Sequence, residues 1–304
     1  MQKTFYSNGK LLITGEYLIL DGAKGLALPT KMGQNLSVES TITETIHWKS
    51  YDADGSIWFE DFVTFQEIKD PNNPSSESVK ATLIKILQVA NAMNPDLLIN
   101  SNGFAITTQL SFPRNWGLGT SSTLINNIAQ WFQIDAFELL HQSFGGSGYD
   151  IACAQNNTPI TYSIVNGIPK VEQLTFEPEF AKNIYFVYLN EKRNSKSAIA
   201  EYHSNKTAHL LQHIEAINAL TNNCIQATDL ESFTRIIDQH EILLSTILKT
   251  ETVKAALFPD FDGAIKSLGA WGGDFVLVVS KENPSSYFID KGYETVIAYD
   301  DMIL

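Results

Sequence analysis

The chain has 304 residues, 44% hydrophobic and 18% charged, with a formal net charge of −13. That composition supports a substantial core in two domains or one large one. The acidity makes the chain a poor candidate for sequence-independent nucleic-acid binding, which rests on Lys and Arg at phosphates, and argues weakly against an anionic membrane surface.

A phosphorylated small molecule stays open as a partner, because a few local cations and backbone N–H groups suffice for one pocket. The N-terminal residues show no apolar signal core, and no apolar run reaches the roughly 18 residues a membrane span needs. A cytoplasmic location is expected. The two cysteines, Cys153 and Cys224, have no CxxC spacing and read as buried free thiols.

In chain order, the first 70 residues are β-rich. Strands are expected at 5–6, 11–20, 35–40, 45–51 and 57–68, with turns at Asp21-Gly22 and Asp54-Gly55. The segment 70–76 reads as a loop. The spacing of Val79, Leu83, Ile86, Leu87 and Ala90 predicts a helix over 79–92, stopped by Pro95. A strand follows at 103–112, then helices at 124–132 and 136–142 and a hairpin of 158–164 with 170–176 around Asn166-Gly167. A domain boundary is placed near Pro178, giving domains 1–177 and 178–304. The second half reads as a strand (184–189), helices (195–203, 207–220, 230–248, 253–257) and strands (275–279, 287–289, 294–298), an α+β order.

Three glycine-rich stretches carry the chemistry: Gly117-Leu118-Gly119-Thr120-Ser121-Ser122, Gly145-Gly146-Ser147-Gly148-Tyr149-Asp150 and Gly269-Ala270-Trp271-Gly272-Gly273-Asp274. The first feeds a helix, so its N–H groups and the helix dipole suit a phosphate; alternatively its Ser and Thr only cap that helix. It is not a Walker A loop, because no Lys follows the second glycine, nor a Rossmann fingerprint. Asp150 reads equally as an N-cap or as a base. Lys10, between Gly9 and an apolar strand, is either a solvated edge charge or a group that stabilises a nearby anion. Glu16 is exposed or functional. Gly272 and Gly273 admit a ligand's close approach or make a tight turn. No histidine falls in an H-E-x-x-H motif, and no nucleophile elbow occurs.

In combination these stretches resemble the GHMP kinases. The run Gly9-Lys10-Leu11-Leu12-Ile13-Thr14-Gly15-Glu16-Tyr17 is similar to the family's first motif, nearest its phosphomevalonate kinase form. The stretch from Pro113 to Ser122 is similar to the phosphate loop P-x-x-x-G-L-G-S-S, with Thr120 for the first Ser. Ser147-Gly148-Tyr149-Asp150 matches S-G-x-D, and Gly148-Tyr149-Asp150-Ile151-Ala152 resembles the signature of the GYDIA-type branch. The third glycine stretch is similar to G-A-G-G-G-D.

The resemblance implies a ribosomal-protein-S5-like N-terminal domain, a ferredoxin-like C-terminal domain, and ATP with Mg²⁺ as cofactors. It implies that Gly117, Leu118, Gly119, Thr120, Ser121 and Ser122 bind the nucleotide and that Ser121 contacts the metal. Asp150 accepts or orients the acceptor's proton, and Lys10 supplies charge. Substrate contacts are expected from Glu16, Ser147, Gly148, Lys192, Arg193, Ser195, Gly272 and Gly273. The implied activity is phosphorylation of mevalonate or phosphomevalonate in isoprenoid precursor synthesis. A diphosphomevalonate decarboxylase and a non-catalytic ligand sensor are the alternatives. The protein is expected to act as a monomer or homodimer on a small molecule, with no nucleic-acid or membrane partner.

Three departures from the family pattern stand out. Trp271 replaces a glycine. The phosphate loop and Asp150 are only about 30 residues apart. No acidic metal ligand precedes S-G-x-D in register; Glu138 is the nearest acidic residue and is the candidate.

Overall fold

The structure, a computed structural model, describes residues 2–70, 78–193, 195–204 and 209–304, apart from the side chains of Ser195 and Lys196. Most of the expected loop at 70–76 and the expected helix start at Thr207 lie outside the described residues.

In chain order the elements are β1 (Lys3–Thr14), β2 (Gly25–Ser40), β3 (Thr45–Tyr51), β4 (Ile57–Thr64), α1 (Phe65–Lys69), α2 (Val79–Met93), α3 (Asp96–Ile99) and β5 (Phe104–Leu110). Then come α4 (Thr120–Phe132), α5 (Ala136–Ser143), α6 (Tyr149–Gln155), β6 (Ile160–Val165), β7 (Ile168–Gln173) and β8 (Ile184–Tyr188). The chain ends with α7 (Ser195–Ser204), α8 (Leu210–Gln226), α9 (Leu230–Leu248), α10 (Val253–Leu257), β9 (Ala264–Ser267), β10 (Phe275–Val279), α11 (Ser285–Asp290), β11 (Val296–Ala298) and α12 (Tyr299–Met302).

Contacts divide the chain into two compact units. The first comprises Met1–Gly9, Met32–Arg114 and Leu118–Gln155; the second comprises Lys10–Lys31, Asn115–Gly117 and Asn156–Leu304. This division falls at Gln155 rather than at Pro178, and it assigns parts of β1 and β2 to each unit.

In the first unit, β3 pairs antiparallel with β4 and parallel with β5, and β5 pairs antiparallel with the 34–40 part of β2. The parallel β3–β5 pair needs a crossover, and β4 with α1, α2 and α3 supplies that length of chain. Alternation along β3 turns Ile46 and Trp48 inward, onto a core that also takes Leu87 from α2 and Ile128 and Phe132 from α4. Ser78 caps α2, whose apolar stripe matches the expected spacing.

In the second unit, β6 and β7 form the expected hairpin, with Asn166 and Gly167 at φ 52° and 77°. Two positive φ values in a two-residue loop make the turn that suits strand twist. The remaining strands form an antiparallel sheet in the order β11-β8-β10-β9. With helices between β8 and β9 and α11 between β10 and β11, this is the β-α-β-β-α-β arrangement of a ferredoxin-like sheet.

Three expectations needed correction, and one strand was not expected. The strand expected over 11–20 ends at Thr14, because Gly15 and Tyr17 take φ 93° and 63° and Leu18–Asp21 coils into a 3-10 turn. The strand expected over 57–68 stops at Thr64, which forms a capping box with Glu67 and starts α1. The segment 287–289 is helical: the Asn283 side chain accepts from the Ser285 N–H at 2.9 Å in a turn that leads into α11, so local turn chemistry overrides the β preference of Tyr, Phe and Ile. Strand β9 had no counterpart in the sequence reading.

Candidate active site

In the first unit, the site is built on the N-terminus of α4. Gly119 is the N-cap residue, at φ 97°, and it has no side chain to cap with. Thr120, Ser121 and Ser122 are therefore first-turn residues, not caps, which removes the alternative reading of their hydroxyls. The first N–H groups of a helix lack intrahelical partners and carry the positive end of its dipole. Leu118 is fully buried and anchors the loop, while Ser121 is exposed. The Thr123 hydroxyl, two residues on, donates to Gln34 Oε1 at 2.8 Å.

Asp150 lies in the first turn of α6, one residue after its start at Tyr149. It is half-buried and is not the cap. The preceding Gly145, Gly146 and Gly148 all take positive φ (81°, 116°, 89°), a conformation that costs L side chains energy. Ser147 is half-buried and Gly148 buried. Ile151, Ala152, Cys153 and Ala154 bury the rest of α6. A polar chain ties α6 to α4 and β1: Gln155 donates to Asn126 Oδ1 (3.1 Å), Asn126 to Ser7 Oγ (2.8 Å) and Ser7 to Asn127 Oδ1 (2.8 Å). Buried polar groups fixed this way give the two helices one relative register.

Among the described residues, no group of three His, Cys, Asp or Glu side chains could hold a metal ion. Mg²⁺ usually takes one or two protein ligands and leaves the rest to phosphates and water, and the exposed Ser121 hydroxyl at a phosphate-type helix end fits that use. Glu138 lies exposed in the first turn of α5, where its carboxylate accepts from Gln142.

In the second unit, Lys10 is half-buried on β1 and lines a small cavity with Trp116, Gly117, Leu268, Gly269 and Asp274. Residues 115–117 are docked on the sheet: Trp116 meets Phe275 edge-on, with centroids 5.4 Å apart, and the Tyr188 hydroxyl donates to the Asn115 carbonyl at 3.2 Å. Gly117, at φ 69°, has its Cα against the Asp274 carboxylate; a Cβ there would lie 2.3 Å from Oδ2.

Glu16 is in the interior, 2% exposed, and accepts from Lys266, which is 0% exposed. Lys266 also donates to the Ser267 carbonyl at 2.8 Å. His240 Nε2 lies 3.8 Å from Glu16 Oε2, but it accepts the Gly15 N–H at 3.1 Å. Burial, then Lys266, holds His240 well below its ordinary pKa, so it is neutral and forms no ion pair. Burial pushes Glu241 up to about 7, and its Oε2 accepts from the Ser267 N–H at 3.1 Å. Glu16, expected among the substrate contacts, is thus the centre of a buried polar cluster.

Arg193 pairs with Glu191 at 3.0 Å on the surface, and its stem covers the third glycine stretch. A Cβ on Gly273 would lie 2.2 Å from Arg193 Cγ. Here the close approach that glycine permits is to a side chain of the same protein. Lys192 is exposed beside it, and the Ser195 side chain lies outside the described residues.

No family model matches the chain, and no curated protein matches it either. Solved structures do. A Methanococcus jannaschii mevalonate kinase aligns with a TM-score of 0.71 at 16% identity, over 97% of this chain and 96% of that one. A Lactococcus lactis galactokinase complexed with galactose aligns with a TM-score of 0.71 at 13% identity, covering 98% and 92%. A Streptococcus pneumoniae phosphomevalonate kinase in complex with phosphomevalonate and AMPPNP aligns with a TM-score of 0.69 at 14% identity, covering 97% and 99%. The chain has the GHMP kinase fold.

On that fold, Trp271 has a local explanation. Its backbone N–H donates to the Tyr17 hydroxyl (2.8 Å), its indole N–H donates to the Glu251 carbonyl (3.1 Å), and the side chain packs, partly buried, against the apolar cluster that contains Tyr17 and residues of α8 and α9. These bonds brace the third glycine stretch against the turn at Tyr17 and the segment that follows α9. Sequence reasoning assigned no role to Asp274 or Lys266: Asp274 reads as the end of a turn, and Lys266 sits in a short strand where a lysine suggests exposure.

Proposed function

We propose that this chain is an ATP-dependent small-molecule kinase of the GHMP type, acting on mevalonate or phosphomevalonate. The observation that carries this reading is the start of α4. Two glycines in the left-handed region lead into a helix whose N-cap has no side chain, followed by three hydroxyl residues. That arrangement offers donors to a polyphosphate, and no N-cap side chain uses them.

In this reading Thr120, Ser121 and Ser122 bind nucleotide phosphates, and Mg²⁺ held by Ser121 and the phosphates would neutralise their charge. Asp150 orients the acceptor's hydroxyl or phosphate and takes a proton where the acceptor has one to give. Lys10 stabilises charge on the transferring group. Phosphoryl transfer needs little from the protein beyond positioning and charge stabilisation, and these groups supply both. Lys192 and Arg193 favour an anionic acceptor. Between the two acceptors phosphomevalonate is favoured, because the first and third motifs lie nearest the phosphomevalonate kinase form.

An ADP-release screen over mevalonate, phosphomevalonate, homoserine, galactose and heptose phosphates, with CO₂ detection, tests the assignment. Turnover is expected with one of the first two. Asp150→Ala should reduce that turnover by about 10²-fold or more, with an unchanged melting temperature. Turnover confined to a sugar would overturn the acceptor, and full activity in Asp150→Ala would remove Asp150 from the chemistry.

A further inference from the structure

Asp274 closes the third glycine stretch and is itself in the left-handed region, at φ 53°. Two backbone hydrogen bonds pin it there: its N–H donates to the Glu191 carbonyl at 2.7 Å, and its carbonyl accepts from the Leu189 N–H at 2.8 Å. A strained residue persists only where its surroundings over-determine it. What the conformation achieves is the placement of a carboxylate. Gly117 and Gly269, from two different glycine stretches, both face it: a Cβ would lie 2.3 Å from Oδ2 at Gly117 and 3.9 Å from Oδ2 at Gly269. The Oδ1 atom is buried and has no hydrogen-bond partner among the described residues. Lys10 lines the same small cavity.

A carboxylate at the first glycine of a phosphate loop would repel a nucleotide unless a cation offsets it. Lys10 is the largest electrostatic influence on Asp274 after burial, followed by Lys192; burial pushes the carboxyl up and these cations pull it back. The Arg193 backbone N–H also donates to it, and the Tyr188 hydroxyl feels its charge. Glu16 acts on Lys10 from the interior.

We propose that Asp274 is a positioning residue that keeps the Lys10 ammonium charged and turned toward Gly117, where a transferring phosphoryl group would need it. Its role in transfer rests on the kinase reading above; the Asp274–Lys10 relationship does not. Asp274 makes no step of its own. It acts by fixing the direction and protonation of Lys10, and it restrains Lys10 before any ligand arrives, so less order is lost when the nucleotide binds.

The decisive measurement does not need turnover. Competitive acetylation with acetic anhydride across pH, read by mass spectrometry of the Lys10 peptide, reports the titration of that amine. Asp274→Asn should move the reactivity midpoint of Lys10 down by about one pH unit, since an opposite charge at this range favours the charged form. Asp274→Glu should restore part of the shift. Gly117→Ala, which displaces the carboxylate sterically, should move it in the same direction and serves if Asp274→Asn fails to fold. In kinetics, Asp274→Asn should lower kcat by about 10- to 100-fold, with the KM for ATP changed less than about two-fold. The alkaline limb of kcat should fall by the same shift as the labelling curve.

An unmoved Lys10 labelling curve in both Asp274→Asn and Gly117→Ala overturns the proposal. So does a higher Mg²⁺ requirement in Asp274→Asn with Lys10 unmoved, which would assign the carboxylate to the metal. A shifted labelling curve in a protein that consumes no ATP would sink the kinase reading and leave the electrostatic relationship standing.

Discussion

Lys266 on β9 donates to Glu16, two residues past the end of β1, and both side chains are removed from water. The pair joins the turn at 15–17 to the strand that leads into the third glycine stretch. It also sits against α9, through His240 and Glu241. Among the described residues, four buried polar atoms here have no hydrogen-bond partner: Glu16 Oε2, His240 Nδ1, Glu241 Oε1 and Ser267 Oγ. Such a cluster is costly to desolvate and costlier to break.

Removing one partner of that pair strands a buried charge. Glu16→Gln or Lys266→Met alone should destabilise the protein by about 3–5 kcal/mol. The double variant Glu16→Gln/Lys266→Met should lose less than the sum, because neither charge is left unpaired. Urea denaturation of the four proteins measures the coupling. Strictly additive losses would show that the pair is not an energetic unit.

The cluster should also make stability depend on pH in a defined direction. Glu241 titrates near 7 in the folded chain against 4.5 for a free carboxyl. Between those values the folded state keeps a proton that the unfolded chain has released, so unfolding free energy falls as pH rises through the window. A rise of that size corresponds to roughly 3 kcal/mol. His240 acts oppositely: its depressed pKa contributes stability above its ordinary value of 6.5 that is lost as pH falls. Glu241→Gln, which keeps an acceptor for the Ser267 N–H, should therefore be stabilised relative to the parent at pH 8 and much less so at pH 5. Urea midpoints at the two pH values read this directly, and a gap that does not widen with pH would place the titration elsewhere.

Gly273 is held as glycine by Arg193. Gly273→Ala should cost about 1–2 kcal/mol, as overpacking does. The same change in an Arg193→Ala background should cost less, because the Cγ that a new methyl would strike is gone. Thermal melts of the four-protein cycle test it. Equal costs in both backgrounds would mean that the glycine serves something other than the Arg193 stem.

Much of the fold was legible in the chain. The helices 230–248 and 253–257 and the strand 275–279 coincide with α9, α10 and β10, because each carries an unbroken apolar pattern between clear caps or turns. The helix α4 was expected four residues late. Its first turn, Thr120 to Thr123, has no apolar periodicity, and its cap is a glycine rather than a Ser or Asp. Strand β9 was invisible because Lys266 reads as a solvated residue, and only a partner 250 positions away makes it a buried one.

The sequence by itself determined the glycine positions, the hydroxyls that follow them and the carboxylate at 150, since those rest on local spacing and on conformations only glycine adopts at low cost. Tertiary structure alone decided which charged residues face the interior and which carboxylate meets Gly117. Burial and pairing are set by packing between distant segments, and no local pattern records that Glu16 belongs to Lys266 or Asp274 to Gly117.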